Sequence, residues 1–269
     1  MKKFDLHTHT TFSDGSSTPQ GLFEAAKVVG LSGLSITDHD TVDAYFHLPT
    51  TDLILGIGVE FSAFLNQESV HVLGYDFILD HKEIVNLCLR HKNRRFERNL
   101  AILKNLEKLG VKISETELYS RFDHRTVGRP HIAQLMIEKG ACNTIDHAFR
   151  EFLAEGKKAF APGEMISVQE TIDVIHKAEG KAFIAHPHLI KKHRIIQELK
   201  KLPFDGLEVF YARYPKSEVV SWQNLAREKN WLSSGGSDFH GDFKLFNQLG
   251  SSWVDEELFS KIFQRPIKP

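Results

Sequence analysis

The chain has 269 residues, 41% of them hydrophobic and 26% charged, with a formal net charge of −1 and a pI near 7.0. These values describe a globular chain long enough to bury a substantial core, and they exclude a broadly basic nucleic-acid platform, so an anionic partner has to be met by a local basic pocket. Two cysteines, Cys88 and Cys142, exclude a disulfide framework, a thiolate zinc site and a CxxC redox pair. No signal-peptide-like start is visible, nor any apolar run of the ~20 residues that span a membrane, so a cytoplasmic location is expected.

In chain order, "KFDLH" reads as a first strand. Thr18-Pro19 then reads as an N-cap with proline at the first helical position, opening the helix "QGLFEAAKVVG" that stops at Gly30. "GLSGLSITDHD" supplies a second strand with His39 just past its end, "LILGIGVEFSAF" a third ending near Glu60, and "ESVHVLGYDF" a fourth carrying His71. From about Asp80 to Pro162 the pattern turns to consecutive helices, "HKEIVNLCLRHKNRRFERNLAILKNLEKLG", "GRPHIAQLMIEKG" and "TIDHAFREFLAEG", each closed by glycine. Residues 81–159 are therefore read as a helical insert in a framework formed by 1–80 and 160–269. The strand–helix alternation resumes through "SVQETIDVIHKAEG", "KAFIAHPH", "IIQELKKL", "GLEVFY", "SEVVSWQNLAREKN" and "WLSSGGSDFHG". Six or seven parallel strands separated by helices predict an α/β chain closed into a TIM-like barrel, with site residues gathered at the strands' C-terminal ends. An open doubly wound sheet would give a similar rhythm.

Fifteen histidines stand out. His47, His81, His91, His147, His176 and His193 lie in polar or helical surroundings and read as surface or internally satisfied residues. The remainder keep different company. His7 and His9, two apart on a strand, present both imidazoles to one point. Asp14 follows in "FSDG", "TDHD" adds Asp38, His39 and Asp40, and "GVEFS" adds Glu60. His71 lies among apolar residues, where a core histidine with a backbone partner is the plain alternative. "AHPH" presents His186 after an apolar strand, and "GSDFHG" repeats the two-residue spacing with Asp238 and His240.

Imidazoles and carboxylates without sulfur suit Zn, Mn or Fe, with Mn gaining as the oxygen share rises. Nine candidate ligands exceed the needs of one ion, so two or three divalent ions are expected, with Glu60 able to bridge a pair. Paired metals are a recurrent device for phosphoester hydrolysis. No serine or cysteine nucleophile is then required, and Ser35, Ser62 and Ser237 read as capping or loop residues.

Together, "DLHTHTTFSDG", "ITDHDT", "GVEFS", "HVLGY", "AHPH" and "GSDFHG" resemble the motif pattern of the PHP (polymerase and histidinol phosphatase) family, spread over residues 5 to 241. The resemblance implies a distorted (β/α)7 TIM-like barrel with a trinuclear metal site at its mouth. His7, His9, Glu60 and Asp238 would hold one ion, Glu60, His71 and His186 a second, and Asp14, His39 and His240 a third. Asp14 stands where some relatives have histidine, which leans toward the Mn-preferring members. Asp38 would orient a ligand or the nucleophilic water, and with His186 and His240 it forms the expected catalytic group.

Selectivity should reside in the insert. "RHKNRRFERN" gathers Arg90, His91, Lys92, Arg94, Arg95 and Arg98, with a solvated helix face as the alternative reading. In "TVGRPHIA", Arg129 and His131 open a helix whose N-terminus favours anions, and both are candidate clamps for a second phosphate, with Arg94 a further contact. An insert with this stretch is similar to that of 3',5'-nucleoside bisphosphate phosphatases and related 5'-to-3' exoribonucleases. The expected activity is thus metal-dependent phosphoester hydrolysis of small nucleotides or the 5' ends of short oligonucleotides, by in-line attack of a metal-bridging hydroxide. Neither duplex-DNA recognition nor a membrane partner is expected. A histidinol-phosphate phosphatase is the first alternative. A non-catalytic metal-binding PHP module is the second, although such a module should lack ligands that are all present here.

Overall fold

The computed structural model describes residues 1–122, 125–212, 214–244 and 246–269. All five residues of β1 (Phe4–Thr8) are buried, as in a strand covered on both faces. Helix α1 (Pro19–Val28) follows, with Thr18 Oγ1 accepting the Gly21 N–H at 3.1 Å and Gly30 in the left-handed region (φ 77°) after its last turn. The chain returns in β2 (Gly33–Ile36), parallel to β1, and then in β3 (Ile54–Leu65), parallel to β2.

Here the structure corrects the all-parallel expectation. β4 (Glu68–Tyr75) runs antiparallel to β3, and Asn66 and Gln67 between them both have positive φ, 50° and 68°, as a two-residue hairpin turn requires. A parallel partner would have needed a crossover of a dozen residues or so, which is not there. β4 is also antiparallel to β5 (Lys181–Ile184), after which β6 (Gly206–Tyr211) and β7 (Leu232–Gly236) continue in parallel. The seven-stranded mixed sheet keeps the order β1 to β7 and is nearly closed into a barrel. Its two ends approach where the His9 N–H donates to Phe239 O at 2.9 Å. Gly236 permits that approach, because a Cβ there would lie 2.4 Å from the His7 nitrogen.

The chain divides into two compact units, 1–88 with 166–269, and 89–165. The division falls inside α2 (Lys82–Lys108), a helix without an internal break. The second unit is helical: α3 (Glu115–Arg121) carries a Ser114–Glu117 capping box, and α4 (Arg129–Glu138) begins after Gly128. The segment read as one helix through "TIDHAFREFLAEG" instead consists of α5 (Ile145–Ala148) passing into a π-helical turn at Phe149–Leu153. At its end the Leu153 carbonyl, which a helix terminus leaves without an intrahelical partner, accepts from Arg129 Nη1 at 3.3 Å. Ile102, Leu106, Leu118, Ile132, Met136 and Leu153 form this unit's core.

In the barrel unit α6 (Val168–Lys177), α7 (His193–Leu199) and α8 (Lys216–Lys229) follow the sequence rhythm, and α9 (Glu256–Ile262) comes last. Ile172, Ile175, Ile195 and Leu199 bury the helical stripes against strand residues such as Val59, Val72 and Leu207. A separate cluster of Phe4, Leu6, Tyr75, Phe183, Phe259 and Phe263 joins α9 to the strands. Among the described residues no helix is long and apolar enough to cross a membrane.

Candidate metal centre

β1 supplies His7, with His9 one residue past its end and Asp14 in the loop that follows; His39 lies after β2, His186 after β5, and Asp238 and His240 after β7. Glu60 and His71 depart from the strand-end expectation. The hairpin carries β3 five residues beyond Glu60, and the antiparallel register sets His71 opposite Ser62 within β4.

His7, His9, Glu60 and Asp238 converge most tightly. His7 Nε2 and His9 Nε2 lie 3.3 and 3.2 Å from Glu60 Oε2, and each lies 3.4 Å from Asp238 Oδ1. Four donors at the corners of a tetrahedron with such edges stand about 2.0 Å from its centre, a metal–ligand length. All four atoms are buried and none has a hydrogen-bond partner. Orphaned buried lone pairs are costly unless something unites them, and a divalent cation does so. The donor set therefore fits metal on its geometry as well as its chemistry.

Two further groupings adjoin this one. Asp14 Oδ1 lies 3.4 Å from His240 Nε2, 3.8 Å from His39 Nε2 and 3.9 Å from His9 Nδ1. Glu60 Oε2 lies 3.1 Å from His39 Nδ1, while Glu60 Oε1 meets His71 Nδ1 and His186 Nε2 at 2.8 Å each. His9 and His39 thus each face two groupings, where the motif-by-motif reading gave each to one, and Glu60 reaches both the first and the last. Burial opposes ionisation of Asp14, Glu60 and Asp238. Even so, the surrounding imidazoles, with Lys244 beside Asp238, hold all three well below the usual carboxylate range. Burial also pushes His39 well below the ordinary imidazole value and His240 below it. Ionised carboxylates and neutral imidazoles are the states in which such groups ligate; at His7 and His9 burial is outweighed by the facing carboxylates, which raise His7 well above the ordinary imidazole value and His9 to about 9, so a metal held by these two displaces their protons.

A supporting layer fixes the ligands. His7 Nδ1 lies 2.9 Å from Glu208 Oε1, and Glu208 Oε2 accepts the His186 N–H at 2.7 Å. Asp238 Oδ2 accepts from Tyr211 Oη at 2.9 Å, from Lys244 Nζ at 2.9 Å and from Asn247 Nδ2 at 3.2 Å. His186 (φ 24°) and Asp238 (φ 54°) both occupy positive φ, backbone that non-glycine residues adopt at a cost and that concentrates at functional sites. Asp5 accepts the Ser237 and Gly250 N–H groups, both at 2.9 Å, pinning the loop after β7. Asp38, expected to orient a ligand or the nucleophilic water, turns its carboxylate to the loop that joins two of the candidate ligands. Its carboxylate accepts from Thr10 N at 2.7 Å and from Thr10 Oγ1 and Ser13 Oγ at 2.6 Å each, so it braces the loop between His9 and Asp14. The sequence reading missed Glu208, Asp5, Tyr211, Lys244 and Asn247. For Glu208 a signal existed, an acid between Leu207 and Val209 in an otherwise apolar strand.

In the helical unit, Arg94, Arg95 and Arg98 of α2 are buried, at 4%, 9% and 7% exposure, so the solvated-face reading of "RHKNRRFERN" fails for these three. Arg94 and Arg95 lie near enough to Arg129 that burial together with their charges lowers its pKa to about 10. A Cβ at Gly128 would stand 2.8 Å from Arg95 Nη1 and would have to displace that guanidinium, and the Gly128 N–H donates to His131 Nδ1 at 3.0 Å. His131 is fully buried against the Phe122 ring. Of the histidines set aside, His91 is buried 3.1 Å from Arg94 Nη1, and His176 pairs with Asp205 at 2.7 Å.

The PHP domain family model matches residues 5–208. The 5'-3' exoribonuclease Rnm of Escherichia coli K12 is 31% identical over 248 residues, 88% of this chain and 85% of that protein. The 3',5'-nucleoside bisphosphate phosphatase of Chromobacterium violaceum is 26% identical over 250 residues, 89% of this chain and 88% of its own length. A Bifidobacterium adolescentis structure assigned as a metal-dependent phosphoesterase superposes with a TM-score of 0.83 at 28% identity, covering 96% of this chain and 94% of that one. Ligand chemistry, barrel and relatives agree: this chain belongs to the PHP domain family and is a metal-dependent phosphoesterase.

Proposed function

We propose that the chain hydrolyses phosphate esters of small nucleotides, 3',5'-nucleoside bisphosphates and the 5' ends of short oligonucleotides among them. The ligands would be His7, His9, Asp14, His39, Glu60, His71, His186, Asp238 and His240, holding two or three divalent ions. The observation that carries the reading is the buried quartet His7, His9, Glu60 and Asp238, whose facing donor atoms have no other partner. Bound there, divalent ions would supply a water acidified toward neutral pH and positive charge for the phosphoryl oxygens. Mn is favoured by the oxygen share of the ligands and by Asp14 in place of a histidine.

Glu60 presents its two oxygens to different imidazoles and can bridge two ions. His7, His9 and Glu60 are sealed, whereas the side chains of His71, Asp14 and His39 keep 29%, 14% and 12% exposure, so substrate enters on their side. His186 and His240 serve as ligands beside the reacting phosphate, and Asp38 acts through the loop it braces. In the helical unit Arg129, His131 and Arg94 would take the second phosphate or the next nucleotide, a role favoured by the charge of Arg94 on α2 close to that of Arg129 at the start of α4. Two cysteines without a disulfide framework favour the cytoplasm.

The test is phosphate release, with added Mn, from adenosine 3',5'-bisphosphate, a 5'-phosphorylated trinucleotide and histidinol phosphate. Turnover of the nucleotides and not of histidinol phosphate is expected; the reverse selectivity overturns the reading.

A further inference from the structure

Lys244 stands at the edge of the candidate metal centre and belongs to none of the ligand groupings. Its Nζ lies 2.9 Å from Asp238 Oδ2, whose partner oxygen Oδ1 faces His7 and His9. Among the described residues it is the one lysine or arginine in ion-pair contact with Asp14, Glu60 or Asp238. Asp238 Oδ2 does not depend on it, because Tyr211 Oη and Asn247 Nδ2 donate to the same oxygen at 2.9 and 3.2 Å. A carboxylate oxygen has two lone pairs, so three donors exceed what it can engage well.

The three donors also differ in freedom. Tyr211 and Asn247 are 6% and 1% exposed, whereas the Lys244 side chain is 44% exposed and sits on a flexible four-carbon stem. Lys244 can therefore leave without exposing an unpartnered carboxylate, and its ammonium then faces solvent beside the cluster. A phosphate monoester brings close to two negative charges at neutral pH and strong acceptor oxygens, the ligand such an ammonium matches.

We propose that Lys244 is a substrate-binding residue whose ammonium moves from Asp238 Oδ2 to a non-bridging oxygen of the phosphate undergoing hydrolysis, while Tyr211 and Asn247 keep Asp238 in place. Because a monoester carries one more charge than a diester, Lys244 favours terminal phosphates over internal linkages. The proposal rests on the phosphoesterase reading and deepens it.

The experiment compares wild type, Lys244→Gln and Lys244→Arg, all loaded with Mn, by elemental analysis, by calorimetric titration with inorganic phosphate, and by KM and kcat on p-nitrophenyl phosphate and its bis-ester. Expected are unchanged metal content, an inorganic phosphate Kd raised about ten- to a hundredfold in Lys244→Gln, a KM increase larger for the monoester than for the diester, and substantial recovery in Lys244→Arg. Unchanged phosphate affinity with metal retained overturns the proposal. So does metal loss with unchanged affinity per loaded site, which would make Lys244 a support of Asp238 alone. A wild-type protein that binds phosphate through Lys244 yet cleaves no ester would keep the proposal and sink the hydrolytic reading beneath it.

Discussion

Glu208 Oε1 lies 2.9 Å from His7 Nδ1, with both side chains fully buried, and it joins strands whose residues are about two hundred positions apart in the chain. A carboxylate on the far nitrogen of an imidazole fixes the tautomer that leaves Nε2 free to ligate. The other oxygen of Glu208 accepts the His186 N–H, so one side chain orients two candidate ligands. Glu208→Gln keeps the volume but turns an amide donor toward one of these partners. Metal affinity measured by competition with a fluorescent chelator should fall about 10- to 100-fold, with the fold retained by circular dichroism. Unaltered affinity would show that His7 and His186 are held without Glu208.

Asp38 makes a contrasting case. The three hydrogen bonds of its carboxylate all come from the Thr10–Ser13 segment, and none comes from a candidate ligand side chain. Asp38→Ala leaves three buried donors without their acceptor and should destabilise by about 2–4 kcal/mol. Urea unfolding checks this. Phosphatase activity should fall together with metal occupancy as the Asp14 loop loosens. Loss of kcat at full metal content and unchanged stability would instead place Asp38 at the reacting atoms.

How much of this was legible in the sequence differs by residue. The convergence of His7 and His9 could be read because a two-residue spacing along a strand turns both side chains to one face, whereas Asp238 and His240, past the end of β7 with Asp238 at positive φ, face different groupings that their spacing does not foretell. The hairpin at Asn66–Gln67 was harder, since "ESVHVLGYDF" looks the same whether its strand runs parallel or antiparallel to its neighbour. The burial of Arg94, Arg95 and Arg98 was illegible as well: a helix rich in arginine reads as solvated until its packing partners are placed. Glu208 shows an intermediate case, where an acid inside an apolar strand could have been flagged but its partners at His7 and His186 could not have been named.

Gly236 marks the closest approach of β7 to β1. An added Cβ would lie 2.4 Å from His7 N, 2.5 Å from His7 Cβ and 2.9 Å from Asp5 Oδ1, all part of the scaffold beneath the ligands. Gly236→Ala should cost about 1–3 kcal/mol and displace His7, lowering metal affinity along with stability. Gly21→Ala is the control, because it lies in α1 with only Thr18 Oγ1 at 3.5 Å, an ordinary contact, and a helical alanine should be neutral or mildly stabilising. Equal thermal midpoints for the two variants would remove the close-approach argument.

The orphaned atoms of the centre make stability itself a reporter of metal. His7 Nε2, His9 Nε2, Glu60 Oε2 and Asp238 Oδ1 are buried without hydrogen bonds, and the Glu60 and Asp238 carboxylates are both withdrawn from the water that would screen their repulsion. A ligand that binds only the folded chain stabilises it by about 2.7 kcal/mol at a hundredfold excess over its Kd and about 4.1 kcal/mol at a thousandfold excess. Stripping metal with a chelator should therefore lower the thermal midpoint by several degrees, and titrating Mn back should restore it in a concentration-dependent way. Glu60→Gln is the decisive variant, because Glu60 meets imidazoles of the first and last groupings with its two oxygens. Its midpoint should respond to Mn far less than that of the wild type, and its metal stoichiometry should fall by more than one ion if the carboxylate bridges. A full wild-type response in Glu60→Gln would show that the ions are held elsewhere.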